Sequence, residues 1–336
     1  MPIPGISKSG FWFAFIIIII VILAGFVLRG TPPNGNGIPQ DNRQMHITPS
    51  PPSLLSPTMG FLTNNNTFLD ISTYDGSNQV VHPCVIYTGS GWNGYAYLMA
   101  MTPYPHEDSR FENPSMRYSR DGFTWEMIPG QPDPVIGRPP VGFLSDPNIA
   151  LVNGTLYLFF RYADVGNVSD PVIYYNYTST TNGVDWTPQV KLNMAKTRSS
   201  SFVHNGTGWE SWGHNITTGN LSHFTSDDRV NWTLTGTTLI NTTLFSQWHS
   251  EVKLYDGQYQ LLMSDSPYEN LRFYTSSDGL TWIFENNNST VLSGRKGMWD
   301  SSMYKSSFVK VNNTYKIWYS AFNAASVAKV GYTQYP

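Results

Sequence analysis

The chain has 336 residues, a formal net charge of −3 and no basic run, which sets nucleic-acid binding aside. Aromatic residues make up 15% of it and charged residues only 13%, with Gly, Pro, Asn, Ser and Thr abundant, a composition of many short strands and tight turns. Cys84 is the single cysteine, so neither an intrachain disulfide nor a cysteine-based metal centre can form.

Residues 1–10 form a short leading segment. Phe11 to Leu28 is then an unbroken apolar run between Lys8 and Arg29. As a helix it spans roughly 27 Å, enough for one crossing of the hydrocarbon core, and it exceeds the usual length of a signal-peptide core. It reads as an uncleaved transmembrane anchor, with a cleaved signal as the alternative. Residues 29–57 are rich in Pro, Gly, Asn and Ser without apolar periodicity, which predicts a disordered, extended stalk. Twelve Asn-x-Ser/Thr acceptors, running from Asn65 through Asn153, Asn176 and Asn231 to Asn312, predict a glycoprotein whose carboxy-terminal bulk faces outward, on a cell or virion surface.

Within residues 58–336 one phrase recurs. Ser119-Arg-Asp121-Gly122-Phe-Thr-Trp125 returns as Thr180-Thr-Asn182-Gly183-Val-Asp-Trp186, as Ser226-Asp-Asp228-Arg229-Val-Asn-Trp232 and as Ser276-Ser-Asp278-Gly279-Leu-Thr-Trp282. The Asp or Asn side chain suits a turn that collects backbone N–H groups, Gly suits a positive φ, and Trp fills a gap between strands. Arg229 replaces Gly in the third copy, the weakest of the four. The copies lie roughly fifty residues apart, the length of a blade of about four strands. A fifth segment, from Asp300 to the end, has the strands without the turn. These patterns predict an all-β fold, a five-bladed β-propeller, in which Thr67 to Ser72 supplies the outer strand that closes the ring. A β-sandwich is the competing arrangement.

In a propeller the first strand of each blade lines the central channel. Aligning the five segments places His82, Asp146, Ser200 or Ser201, Glu251 and Asp300 at corresponding positions. Carboxylates converging on one funnel suit glycosidic bond cleavage, where one protonates the leaving oxygen and the other activates water or attacks the sugar. Trp92, Trp212, Trp248 and Trp299, with Tyr104, are candidates for stacking on sugar faces; packing between blades is the competing role. His204, His214 and His223 show no ligand spacing, so no metal or cofactor is expected beyond a structural Ca²⁺ among the carboxylates.

Asp146-Pro147 in SDPNIALVNGTLYLFF, Glu251 in HSEVKLYDGQYQLLMSD and the WDSSM…YKIWYSA of the last segment resemble the five-bladed glycoside hydrolases, the arabinanases, β-xylosidases, invertases and levansucrases. The resemblance implies Glu251 as general acid and Asp146 as the base or its tuning group, with His82 and Asp300 assisting. It also has two departures: His82-Pro83 stands where the family has a catalytic Asp, and the acid Glu falls in the fourth blade instead of the third. The repeated turns are similar to the Asp-boxes of sialidases, whose place is structural. The expected function is that of a membrane-anchored, glycoside hydrolase-like protein acting on polysaccharide, partnered by glycan and membrane. The alternative is a non-catalytic glycan-binding adhesin, cell-coat or viral surface glycoprotein.

Overall fold

The computed structural model describes residues 67–335 apart from 168, 241–245, 267–268 and 285–289. The expected anchor and stalk lie outside these residues; among the described ones no helix is long and apolar enough to cross a membrane.

Five sheets follow one another along the chain, antiparallel except for the short parallel pairing of Leu239–Ile240 with Thr281 and Trp282. Their first strands are Val80–Trp92, Phe143–Val152, Thr197–His204, Ser246–Tyr255 and Ser302–Val311, each paired to the next strand in sequence. Each first strand also packs against the first strand of the following sheet, and the fifth returns to the first. The chain is therefore a closed five-bladed β-propeller. Closure uses less chain than expected: Leu69 makes an isolated bridge to Val330, its N–H donating to the Val330 carbonyl at 2.8 Å. One bridge suffices because Ile71 packs with Val80, Trp318 and Val330 in the seam between the last and first blades.

The hydrophobic core is divided in the same way, into apolar seams between neighbouring blades. Tyr118 and Met116 meet Leu144 and Phe160, Phe159 meets Phe202 and Trp209, Trp212 meets Leu261 and Tyr274, and Leu262 and Phe273 meet Phe308 and Ile317. Large aromatics bury most area per residue and dominate such seams.

The repeated turns behave as their composition requires. Asp121, Asp228 and Asp278 each accept two backbone N–H groups, while Ser119, Ser226 and Ser276 accept a third. Gly279 has φ 71°, and an added Cβ would lie 2.7 Å from the Trp212 ring of the preceding blade, whose Nε1 donates to the Gly279 carbonyl. Arg229 keeps the positive φ, at 69°, and its guanidinium lies 5.0 Å from the centre of the Tyr157 ring. The third copy thus holds its shape through a cation–π contact instead of glycine's freedom.

Candidate functional site in the central channel

Every first strand is broken near its start, although in the fourth blade pairing resumes already at His249. Pairing skips from Val81 to Cys84, Ser145 to Asn148, Arg198 to Ser201, Gln247 to His249 and Met303 to Ser306. A bulge re-aims side chains, and three bulge residues take left-handed backbone, His82 at φ 54°, Asp146 at 48° and Ser199 at 51°. Proline after His82 and after Asp146 removes an N–H that the ladder would otherwise need.

Just past the bulges the channel carries a closed ring of hydrogen bonds, one per blade. Cys84 Sγ accepts from Ile149 N at 3.3 Å and Asn148 Oδ1 from Phe202 N at 2.9 Å. Ser201 Oγ accepts from Val252 N at 3.0 Å, Glu251 Oε2 from Phe308 N at 3.2 Å, and Ser307 Oγ from Val85 N at 2.8 Å, which brings the circuit back to the first blade. Each side chain satisfies a backbone donor of the next blade that no sheet partner reaches.

This ring corrects the sequence alignment of the channel. Glu251, expected as general acid, is fully buried and committed: Oε1 accepts from Cys84 Sγ at 3.0 Å and lies 3.1 Å from Lys253 Nζ. Burial, then the Glu251 charge, pushes the Cys84 thiol up to about 12, so it remains the donor. Asp300 is also fully buried and pairs with Arg295 at 2.9 Å, ahead of the last blade's bulge and off the ring.

Two residues earlier on each strand lies a second set, His82, Asp146, Ser199, His249 and Lys305. All are buried, His249 being the most exposed at 5%. A ring nitrogen of His82, one of His249 and a carboxylate oxygen of Asp146 lie within 4.8 Å of one another, a spacing able to hold a metal ion. His82 Nδ1 is held by Thr102 Oγ1 at 3.1 Å and Glu112 Oε1 at 3.3 Å, and His249 Nδ1 by Ser199 Oγ. Nε2 of both rings is buried with no hydrogen-bond partner among the described residues. His82 thus has the form of an oriented ligand, anchored through Nδ1 with Nε2 3.4 Å from Asp146 Oδ1, whereas in His249 the nitrogen nearest that oxygen is Nδ1, at 3.9 Å, which Ser199 also holds.

The electrostatics agree with that donor set. Burial, against the pull of Asp146, drives His82 down to about 3 and His249 well below its ordinary range, so both rings are neutral at neutral pH. Burial raises the Asp146 carboxyl, but the charge of Arg161 first, joined by Lys305, outweighs it and leaves Asp146 well below the usual carboxylate range. Arg161 Nε is 3.1 Å from Asp146 Oδ2, which also accepts from Ser199 N at 3.1 Å. Burial, with the Asp146 charge, holds the Glu112 carboxyl well above its ordinary value.

The aromatic candidates divide. Trp92 and Trp212 are buried, their Nε1 groups donating to Gly154 and Gly279 carbonyls, and serve the seams between blades. Trp299 stacks on Tyr319. Trp248 is half-buried beside His249, with the Arg198 guanidinium 4.2 Å from its ring centre, and Tyr104 packs on Phe322, which also meets Tyr304. His249, Ser199, Arg161, Lys305 and Tyr304 were missed by sequence alignment. The usable signal was the offset: each stands one or two places before a side chain of the hydrogen-bond ring, or faces one that does.

Next to the site, Tyr74, Phe111, Asn113 and Arg138 line a surface pocket of about 390 Å³. Phe111 and Asn113 flank Glu112, so one short segment faces both the pocket and His82.

No family model matches the chain. Over 63 residues it is 40% identical to the A type blood N-acetyl-α-D-galactosamine deacetylase of Flavonifractor plautii, a segment that is 19% of this chain and 8% of that protein. Among solved structures it is similar to an N-acetylgalactosamine deacetylase from F. plautii in complex with blood group B trisaccharide, with TM-score 0.72 and 19% identity over 82% of this chain and 95% of that one. It is also similar to a xylan β-1,4-xylosidase from Bacillus halodurans, TM-score 0.57 and 14% identity over 81% and 53% of the two chains. A β-fructofuranosidase from Bombyx mori gives TM-score 0.54 and 10% identity over 76% and 59%. At these identities the structural likeness establishes the propeller fold.

Proposed function

We propose that the chain is a carbohydrate-active hydrolase that removes an N-acetyl group from a sugar, using a divalent cation held by His82, Asp146 and His249. The observation that carries the reading is the pair of buried imidazoles beside an ionised Asp146: His82 Nε2, otherwise unpartnered, lies 3.4 Å from Asp146 Oδ1, and His249 Nδ1 lies 3.9 Å from the same oxygen. The short stretch shared with a sugar deacetylase supports the choice of bond. A cation bound there supplies Lewis-acid polarisation of a carbonyl oxygen. The chain's own residues do the rest. Thr102 and Glu112 set the orientation of His82, Ser199 sets that of His249, and Arg161 with Ser199 N keeps Asp146 charged. Trp248, with Arg198 over its ring, and Tyr304 both lie against His249 and offer aromatic faces to a sugar, and the pocket beside Glu112 offers room for a further sugar. In the reaction the amide C–N bond breaks, water oxygen enters the acetate and a water proton goes to the amine.

Cleavage between sugars with Glu251 as the acid fits less well, because both Glu251 oxygens are committed to partners inside the channel. The deciding experiment incubates the protein with oligosaccharides ending in N-acetylgalactosamine or N-acetylglucosamine and follows free amine and reducing ends separately. Amine release that a chelator stops and added Zn²⁺ or Mn²⁺ restores, and that falls at least about 100-fold in Asp146→Asn and His249→Ala, is expected. Reducing ends without amine, lost in Glu251→Gln, would return the protein to the glycosidases.

The same reading keeps the protein membrane-anchored, outward-facing and glycosylated. Exposed acceptors at Asn153, Asn167, Asn205, Asn220, Asn231 and Asn312 support it, whereas Asn176 is 8% exposed in the second blade and unsuited to a glycan. Glycosidase treatment of the full chain from a secretory host checks this: a stepwise mass loss is expected, unchanged in Asn176→Gln.

A further inference from the structure

We infer that Lys305, together with the cation held by His82, Asp146 and His249, forms a subsite for a small carboxylate, the acetate that the hydrolysis releases. The identity of the anion rests on the hydrolytic reading; the subsite rests on the channel itself.

Lys305 is the last blade's counterpart of His82, Asp146, Ser199 and His249, two residues before the hydrogen-bond ring. It is fully buried, yet the one hydrogen bond its ammonium makes among the described residues is a long one, 3.4 Å to the Pro147 carbonyl. An ammonium has three donors, and a buried cation without a matching anion is costly. The neighbouring carboxylates are already engaged, Glu251 by Lys253 and Asp146 by Arg161. Around the three donors the charged Asp146 faces two cations, Arg161 and Lys305, while burial pushes the Glu112 carboxyl toward its neutral form, so the set already leans positive. A divalent cation adds to that excess, and a small anion offsets it. A carboxylate has one oxygen for the cation and a second for the ammonium. For its methyl group, the Tyr304 ring stands 5.2 Å from the His82 ring and 4.3 Å from the His249 ring, an apolar wall on the same side. Burial of every arm of the set leaves little space for a longer acyl chain.

The test is calorimetric titration of sodium acetate into Zn²⁺-loaded and chelator-treated protein, wild type and Lys305→Met, with chloride and phosphate as parallel arms. Zn²⁺ affinity is measured in the same samples by competition with a chromophoric chelator. Acetate should bind the loaded wild type and bind Lys305→Met at least about tenfold more weakly, while the variant holds Zn²⁺ as tightly or more tightly because a like charge is gone. Acetate should tighten Zn²⁺ binding by the same factor by which Zn²⁺ tightens acetate. Equal acetate affinity in Lys305→Met overturns the subsite, and binding of chloride or phosphate without acetate overturns the acetate assignment. If wild type takes up no Zn²⁺, the hydrolytic reading fails by itself and acetate affinity of the chelated proteins still decides the role of Lys305. Should Lys305→Met fail to fold, transferred Overhauser contacts between acetate methyl protons and Tyr304 in wild type decide instead, their absence counting against the subsite.

Discussion

At the scale of single residues, the channel owes its chemistry to histidines that burial keeps neutral. His82 and His214 are driven to about 3, and His249 is also lowered, each chiefly by desolvation. In the unfolded chain these rings titrate near the ordinary value of about 6.5. Between that value and about 3 the unfolded state binds more protons than the folded one, so stability is complete above pH ~6.5 and falls as pH drops through the interval. Urea midpoints measured from pH 7.5 to 5 should decline, with a slope corresponding to more than one proton taken up on unfolding. A flat profile would mean that these rings are solvated in the folded state. A bound cation should raise the stability at neutral pH and leave the decline toward acid at least as steep, since His82 and His249 are unprotonated in the folded state with or without it and protons compete with the cation for them.

Elements matter here mainly where they break their own rules. The repeated turns require glycine at one place because the backbone is left-handed there and an aromatic side chain from the neighbouring blade lies against it. Gly279→Ala adds a left-handed alanine, costing about 1–2 kcal/mol, and drives its methyl into buried Trp212. Gly76 has a similar φ of 73° but nothing within 4 Å, so Gly76→Ala should show the backbone cost alone. Chemical denaturation of the pair separates conformation from packing: Gly279→Ala should be the more damaging by about 1–3 kcal/mol, and equal losses would remove the Trp212 contact from the account. The bulges in the inner strands are the second broken rule. A regular strand alternates sides, so without the bulge His82 and Cys84 would simply share one face of a continuous ladder; the break detaches the first from the ladder and turns it over the channel.

For the molecule as a whole, closure depends on the seams between blades and on the ring of side chains that accept backbone donors across them. Glu251→Gln keeps an acceptor for Phe308 N but leaves Lys253 buried beside a neutral amide, which costs about 3–5 kcal/mol. Its melting temperature should fall while amine release by the folded protein stays at the wild-type level; lost activity at unchanged stability would make Glu251 a catalytic acid after all. Much of this architecture is legible in the chain. The Ser-x-Asp-Gly-x-x-Trp spacing reports blades because turn chemistry is local, and the dipeptides His82-Pro83 and Asp146-Pro147 mark channel positions because proline tolerates few others. Beyond that point local pattern and strand register part company. By local pattern Glu251 and Asp300 match His82 and Asp146, whereas in the propeller the matching positions are His249 and Lys305. Those assignments turn on a one-residue or two-residue skip in strand pairing, and pairing register is a contact between segments far apart in sequence. Sequence by itself determined that the chain is all-β, repeats in blades and carries its polar groups at the starts of inner strands, since turn propensity and alternation are properties of neighbouring residues. Only the tertiary structure decided which of those groups meet, which carboxylate is spent on holding blades together and which pair of imidazoles is left with a nitrogen to give, because burial and partnership exist only once the ring has closed.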